Sequence, residues 1–345
     1  MDKSRNLKYY DELDDQGQFE EFNCRARTPR PVRPNTESIV VERFNRKFVH
    51  QQDDSHQAIS FTYQAARFEV GWLFDTLAGF LEQKWISDVL CKVKVGKEAN
   101  VYLCRSGEAV RAPLVAAKIY RPRMFRNLKN DFLYRDGRST LNEDGNTVRD
   151  LGMLKAQHKR SMYGEEIRLQ SWIAYEYQTL QTLYTAGADV PRPYEMGANA
   201  ILMDYIGNEQ TAAPTLTTVP LESREAVTLY ERMLHNIRIM LAQAIVHGDL
   251  SAYNVLYWDG SITMIDFPQV VSPETNHSAW QIFHRDITRL CDYFIRQGVR
   301  TDPDRLAADL WRSHGYRIRP EAHPALLDAN DPSDRQYWNQ SREAE

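Results

Sequence analysis

The segment Val246-His247-Gly248-Asp249-Leu250-Ser251-Ala252-Tyr253-Asn254, followed by Ile265-Asp266-Phe267, holds the residue types with the most chemical potential. Asn254 follows Asp249 by five residues and Asp266 follows Asn254 by twelve. This spacing sets a carboxylate and an amide on one tight loop, with a second carboxylate beyond a hairpin. Phosphoryl transfer from a nucleotide needs such a set. One carboxylate orients the attacking oxygen, and the remaining oxygens serve as ligands for one or two Mg²⁺ ions. His247 reads as a packed element of this loop rather than as a base.

Two further charges stand where charges are unexpected. Lys118 interrupts the apolar run Val115-Ala116-Ala117-Lys118-Ile119-Tyr120; a lone lysine in a strand most often faces solvent. Glu176 sits four residues after Trp172 and four before Leu180, which puts a carboxylate on the apolar stripe of a helix. A buried carboxylate needs a partner. Pairing Lys118 with Glu176 answers both problems and leaves the lysine able to reach the α- and β-phosphates of a nucleotide. Upstream, Gly96-Lys97-Glu98-Ala99-Asn100-Val101-Tyr102 lies between two strand-like runs. With one glycine it fits no standard phosphate-loop pattern and is equally a plain hairpin. Its place just before the Lys118 strand favours nucleotide contact.

Taken together, the Gly96–Tyr102 turn, the Lys118 strand, Val246-His-Gly-Asp-Leu-Ser251 with Asn254, and Ile265-Asp-Phe-Pro-Gln269 resemble the RIO family of atypical protein kinases over roughly residues 88–315. The resemblance implies an α+β, bilobal kinase-like fold of trimmed type, with a strand-rich N-lobe and a helical C-lobe, binding Mg-ATP between them. It implies Asp249 as the catalytic aspartate, and Asn254 and Asp266 as ligands of Mg²⁺, or of Mn²⁺ in its place. Lys118 and Glu176 would form the lysine–glutamate pair. Gly96, Lys97, Glu98 and Val101 would lie at the phosphates, and Met203, Tyr205 and Ile206 in the hinge that meets adenine. Asp286 would brace the catalytic loop from below. Only twenty residues separate Asp266 from Asp286, with no Ala-Pro-Glu motif, so the usual peptide-docking segment has little room. The family members that this shortening resembles often phosphorylate themselves, some on the metal-binding aspartate, here Asp266. Ser139, Thr140, Thr147 and Ser161 are the hydroxyl acceptors that the resemblance suggests in the basic loop.

The elements needed to position these groups are legible as periodicities. Tyr63 to Leu81 has helical spacing (Phe68, Trp72, Leu73, Leu77, Phe80, Leu81), followed by strand-like runs at 89–95, 101–104 and 114–120. Residues 121–164 lose all pattern and carry Arg121, Arg123, Arg126, Lys129, Arg135 and Arg138. A helix is expected over 165–184, a buried strand over Ile201–Ile206, and a helix over 222–244 with Val227, Tyr230, Leu234, Ile237, Leu241 and Ala244 as its apolar face. Runs 255–258 and 262–265 flank Asp259-Gly260 as a hairpin. Beyond Ser278 the pattern is helical, with a frayed polar tail after Pro332. The implied organisation is a flexible charged extension over 1–60, a helical lead-in over 61–88, N-lobe and hinge over 89–206, C-lobe over 207–330, and a tail over 331–345.

The chain has 345 residues, 42% hydrophobic and 26% charged, with 43 basic against 47 acidic side chains. This composition excludes wholesale disorder and general coating of nucleic acid. No apolar run approaches bilayer length, and the first twenty residues are studded with charge, so neither a membrane partner nor a signal peptide is expected. Cys24, Cys91, Cys104 and Cys291 lack metal-type spacing and read as free thiols of a cytoplasmic protein. The seven tryptophans read as core or lobe-interface residues rather than base-stacking platforms. The expected activity is ATP-dependent transfer to serine or threonine of a protein or of the chain itself, or an ATPase switch. Two alternatives stay open. Aminoglycoside- and choline-kinase-like phosphotransferases share His-Gly-Asp-x₄-Asn, and an ATP-gated assembly factor could meet ribosomal RNA through its basic loop.

Overall fold

A computed structural model describes residues 61–64, 67–96, 99–120, 137–142, 145–150, 152, 162–318 and 330–343. The expected extension over 1–60, Lys97, Glu98, most of the basic loop and Ser161 lie outside them. The described residues fall into two compact units.

The first unit is built on α1 (Arg67–Glu82) and a five-stranded sheet. The strands β1 (Ile86–Val95), β2 (Ala99–Ser106), β3 (Leu114–Tyr120), β4 (Pro193–Met196) and β5 (Ala200–Asp204) run in the order β1-β2-β3-β5-β4. Each neighbouring pair is antiparallel. Alternate residues of a strand face opposite sides. Tyr102, Cys104, Val115, Ala117, Ile119, Ala200 and Leu202 therefore share one face, where they form a core with Leu73, Leu77 and Phe80 of α1. The helix begins four residues later than the periodicity suggests. Tyr63 donates its backbone N–H to Val89 O at 2.8 Å, and Thr62 donates to Asp88 Oδ1 at 2.8 Å, which ties this entry segment to the sheet. Glu69 anchors the same helix, accepting from Tyr102 Oη at 2.6 Å and from Lys92 Nζ at 2.5 Å.

A long helix, α2 (Met162–Thr185), contributes its residues up to Ile173 to the first unit and those from Ala174 to the second. The second unit continues through α3 (Ser223–Ala242), the hairpin β6 (Val255–Trp258) and β7 (Ser261–Met264), α4 (Ala279–Arg296), α5 (Pro303–Ser313) and α6 (Pro332–Glu343). Asp259 and Gly260 turn the hairpin with φ of 51° and 76°, the left-handed pair that a two-residue connection requires. Asp189 organises this region. Its carboxylate receives both Arg232 Nε at 2.5 Å and Arg232 Nη2 at 2.6 Å, while its carbonyl accepts from Met264 N at 2.8 Å. Burial pushes the Asp189 carboxyl up, but bonds from Arg232 and Asn236 outweigh it and hold the group below the ordinary carboxylate value.

Four sequence readings change here. On α3, Tyr230, Leu234, Ile237 and Leu241 are buried as expected, joined by Ala226, Leu229, Met233 and Met240, whereas Val227 is exposed and Ala244 lies beyond the helix end. The stripe is thus centred slightly to one side of the expected one, and the neighbours decide its edge. The tail after Pro332 is not frayed: Asp334 is fully buried and ion-paired with Arg317. Trp311 sits in an aromatic core with Trp280, Phe283 and Tyr316, whereas Trp338 is exposed. Within the stretch where the strand-like pattern is lost, Val148 N donates to Thr140 O at 2.7 Å and Asn142 N to Asn146 O at 2.9 Å. The three described cysteines are free thiols.

Candidate active site

In the second unit the Val246–Asn254 loop is held by groups on every side. Val246 and Val271 exchange two backbone hydrogen bonds of 2.9 Å. Gly248 has φ +86°, and a Cβ on it would stand 2.1 Å from Gln269 O, so only glycine lets the two segments approach. His247 is buried. Its Nδ1 accepts from Asp249 N at 3.3 Å, its Nε2 lies 3.2 Å from Ile265 O, and its ring packs on Phe267 at 4.6 Å. Held at both ring nitrogens and on its face, the residue acts as a bracket.

Asp249 is half exposed, with both carboxylate oxygens engaged. Oδ2 accepts from Asn254 Nδ2 at 3.1 Å, and Oδ1 is paired with Arg289 Nη1 at 3.0 Å. Asn254 Nδ2 also donates to Asp249 O at 2.9 Å. With its NH₂ end committed to Asp249, the Asn254 side chain has its amide oxygen left to act as a ligand. The Asn254 carbonyl accepts from Ile265 N at 2.9 Å, which brings the Asp266 segment against the loop. Asp266 itself has φ +73°, a left-handed conformation that non-glycine residues rarely adopt and that is common where function constrains the backbone. The neighbouring N–H of Phe267 donates to Glu176 Oε1 at 3.3 Å, so the buried glutamate on α2 braces the segment that follows Asp266. One amide oxygen and one carboxylate suit Mg²⁺, which favours few protein ligands together with substrate phosphates.

Helix α4 supports the loop from the other side. Gly248 N donates to Asp286 Oδ2 at 2.9 Å, and Asp286 Oδ1 receives Arg285 Nη2 at 2.9 Å. Arg285 also donates to the Gly248 carbonyl. Burial drives the Asp286 carboxyl above its ordinary range, against the pull of His247 and Arg285. Arg285 and Arg289 went unread in the sequence. Their signal, one residue before and three after Asp286 on a helix, becomes visible once Asp286 is known to face the loop. Arg138 was read as one more basic-loop residue. It stacks on Tyr175 at 5.1 Å and donates to Pro268 O at 3.1 Å and to Val270 O, just beyond Asp266. No sequence signal marks this contact.

In the first unit, the sheet face opposite α1 carries the residues expected to meet a nucleotide. Val101 pairs with Lys118 and Lys118 with Ile201, while Ala116 pairs with Met203. Directly paired residues share a face, so Val101, Ala116, Lys118, Ile201 and Met203 form an apolar platform bearing one cation. Lys118 is buried, with its Nζ 5.4 Å from the Tyr120 ring centre. Tyr205 and Ile206 follow β5, half-buried, outside the strand that was expected to include them. Gly96 closes the β1–β2 turn, where a Cβ would meet Ala99 O at 2.6 Å. Lys118 and Glu176 belong to different units. Among the described residues no cluster of three or more His, Cys, Asp or Glu could hold a metal by itself, and no helix is long and apolar enough to cross a membrane.

Comparison with known proteins shows the family. The family model described as the RIO domain matches residues 100–306. The RIO-type serine/threonine-protein kinase Rio1 of Haloferax volcanii is 31% identical over 216 residues, covering 62% of this chain and 66% of that protein. Its namesake in Thermoplasma acidophilum is 33% identical over 135 residues, 39% of this chain and 69% of that protein. The human serine/threonine-protein kinase RIO1 is 26% identical over 215 residues, 62% of this chain and 34% of that protein. The chain thus matches from about a third to about two thirds of each relative's length. With a family model spanning more than half of its residues, including the catalytic-type loop and the Asp266 segment, the chain belongs to the RIO domain family.

Proposed function

We propose that the chain transfers the γ-phosphoryl group of ATP to a serine or threonine hydroxyl of a protein, itself included. The observation that carries this reading is the half-exposed Asp249 carboxylate, held from two sides by Asn254 and Arg289 on a loop that also bonds the Asp266 segment. Asp249 receives the acceptor hydroxyl in a hydrogen bond and aims its oxygen at the γ-phosphorus. As that oxygen bonds phosphorus, the bond to the β–γ bridging oxygen breaks, ADP leaves, and the hydroxyl proton passes to Asp249 and on to solvent. Lys118 supplies positive charge to the α- and β-phosphates, and the apolar face around it suits a planar base. Asn254 and Asp266 would hold Mg²⁺, which when bound neutralises charge on the transferring group. The domain limits read from the sequence, the hinge role of Met203, Tyr205 and Ile206, the phosphate-turn role of Gly96, Lys97, Glu98 and Val101, and the lysine–glutamate role of Lys118 and Glu176 belong to this proposal. So do a cytoplasmic setting and, as a regulatory variant, an ATPase switch.

The test is incubation with Mg²⁺ and γ-labelled ATP, recording the acid and base lability of any phosphoprotein. Acid-stable label is expected, marking a hydroxyl ester; base-labile and hydroxylamine-labile label would instead mark an aspartyl phosphate. Asp249→Asn is expected to abolish transfer with ATP affinity within about threefold of wild type, since the residue meets the acceptor and not the nucleotide. Asp266→Ala is expected to weaken Mg-ATP binding at least tenfold. Normal turnover by the Asp249 variant would overturn the assignment. Faster phosphorylation of an aminoglycoside or choline than of any protein would replace the acceptor class.

A further inference from the structure

Helix α4 presents three contacts to two residues of the loop. Arg285 donates to the Gly248 carbonyl, Asp286 accepts from the Gly248 N–H at 2.9 Å, and Arg289 pairs with the Asp249 carboxylate at 3.0 Å. Asp286 and Arg289 are three residues apart, so one helical face carries both. The first two contacts grip the backbone and the third grips the side chain. Among the described residues, Asp249 is the polar partner found for Arg289. The pair is open to solvent, with the arginine side chain 46% and the aspartate 44% exposed. An exposed pair of this kind adds little to stability, at most about 1 kcal/mol. Its geometry is nevertheless specific. Asn254 holds Oδ2 while Arg289 holds Oδ1, so rotation of the carboxylate about its Cβ–Cγ bond is opposed at both oxygens.

We propose that Arg289 is a positioning residue for phosphoryl transfer, fixing the plane of the Asp249 carboxylate that Asn254 alone would leave free to swing. This rests on Asp249 being the acceptor-orienting group. Without Arg289 the aspartate keeps its charge and its place in the chain but samples rotations that do not aim the acceptor oxygen, so turnover falls while nucleotide affinity stays. The arginine's effect passes entirely through Asp249.

The test uses the full chain with Mg²⁺ and ATP, measuring ADP release, labelled-phosphate transfer and KM for ATP. The variants are Arg289→Gln, Arg289→Lys, Asp249→Asn and the Asp249→Asn/Arg289→Gln double variant. Rates are referred to the folded fraction from circular dichroism, so a folding defect does not register as a catalytic one. Arg289→Gln is expected to lower kcat about tenfold with KM for ATP changed less than about twofold. Arg289→Lys, which restores a cation, recovers most of that loss. In the Asp249→Asn background, where labelled-phosphate transfer is already abolished, Arg289→Gln leaves the residual ADP release unchanged, because the group it positions is gone. A kcat for Arg289→Gln within twofold of wild type overturns the proposal, as does an equal loss in both backgrounds or a KM that rises in proportion. ADP release by the wild type no faster than by Asp249→Asn removes the functional reading itself, and with it the role of Arg289.

Discussion

Replacing Gly248 with alanine separates two costs that the loop geometry predicts. The residue has φ +86°, and the left-handed conformation costs an L-residue about 1–2 kcal/mol. The added Cβ would also lie 2.1 Å from Gln269 O and 2.8 Å from Gln269 C, where ordinary contact begins at 3.4 Å. The Gln269 carbonyl must therefore retreat by more than 1 Å. The paired bonds between Val246 and Val271, each 2.9 Å, resist that retreat two residues away on both segments. Forced shifts of this kind cost about 1–3 kcal/mol. Alanine recovers about 0.4–1 kcal/mol by restricting the unfolded chain, which leaves a net loss of about 1–5 kcal/mol. Gly260→Ala is the control: φ is +76°, yet nothing lies within 4 Å of the added atom, so only the conformational cost applies, about 1 kcal/mol. Urea titration followed by circular dichroism measures both. The Gly248 variant should also lose about a hundredfold in ATP turnover, since a shift near 1 Å beside Asp249 misaligns the reacting atoms. Equal stability losses at the two glycines, or unchanged turnover in Gly248→Ala, would refute this account of the loop.

Two more outcomes follow from the packing. The stabilisation from Asp189, whose folded carboxyl lies below its unfolded value, is complete above about pH 4 and is lost as pH falls through the folded value. The difference in urea midpoint between wild type and Asp189→Asn should therefore shrink on acidification from pH 6 to pH 3; a constant difference would contradict the hydrogen-bonded carboxylate. On α3, Met233→Ala should cost about 2–5 kcal/mol and Val227→Ala less than about 0.5 kcal/mol, because the first is fully buried and the second exposed. Comparable losses at both positions would place the apolar face where the sequence periodicity put it.

The parts of the site that were legible in advance are those whose members lie close in sequence. Asp249 and Asn254 share one loop, and Asp266 follows across a hairpin whose Asp-Gly turn is itself a local signal, so spacing alone indicates that they meet. Lys118 was legible for a different reason. A charge between Ala117 and Ile119 has to face away from the side on which those two are buried, and the alternation of a strand supplies that fact without any structure. Glu176 was correctly read as buried, and one of its contacts, with the Phe267 N–H, reaches a backbone group ninety-one residues away that no side-chain pattern announces.

By itself, then, the sequence determined most of the elements, though not β4, along with a strand-rich part ahead of a helix-rich one, the Asp249–Asn254 loop and the family to which the chain belongs. Those depend on near-neighbour spacing, the periods of helix and strand, and turn chemistry, all of which are local. Tertiary structure alone decided which of several equivalent choices is used. It selected the buried phase of α3 over one that includes Val227, chose Arg289 and Arg138 from among many arginines, and turned a polar tail into a helix docked through Asp334 and Arg317. Long charged side chains carry no periodic mark of their partner. An arginine forty residues from an aspartate is indistinguishable in sequence from one that faces water, and only the packing of α4 against the loop brings Arg289 within 3.0 Å of Asp249.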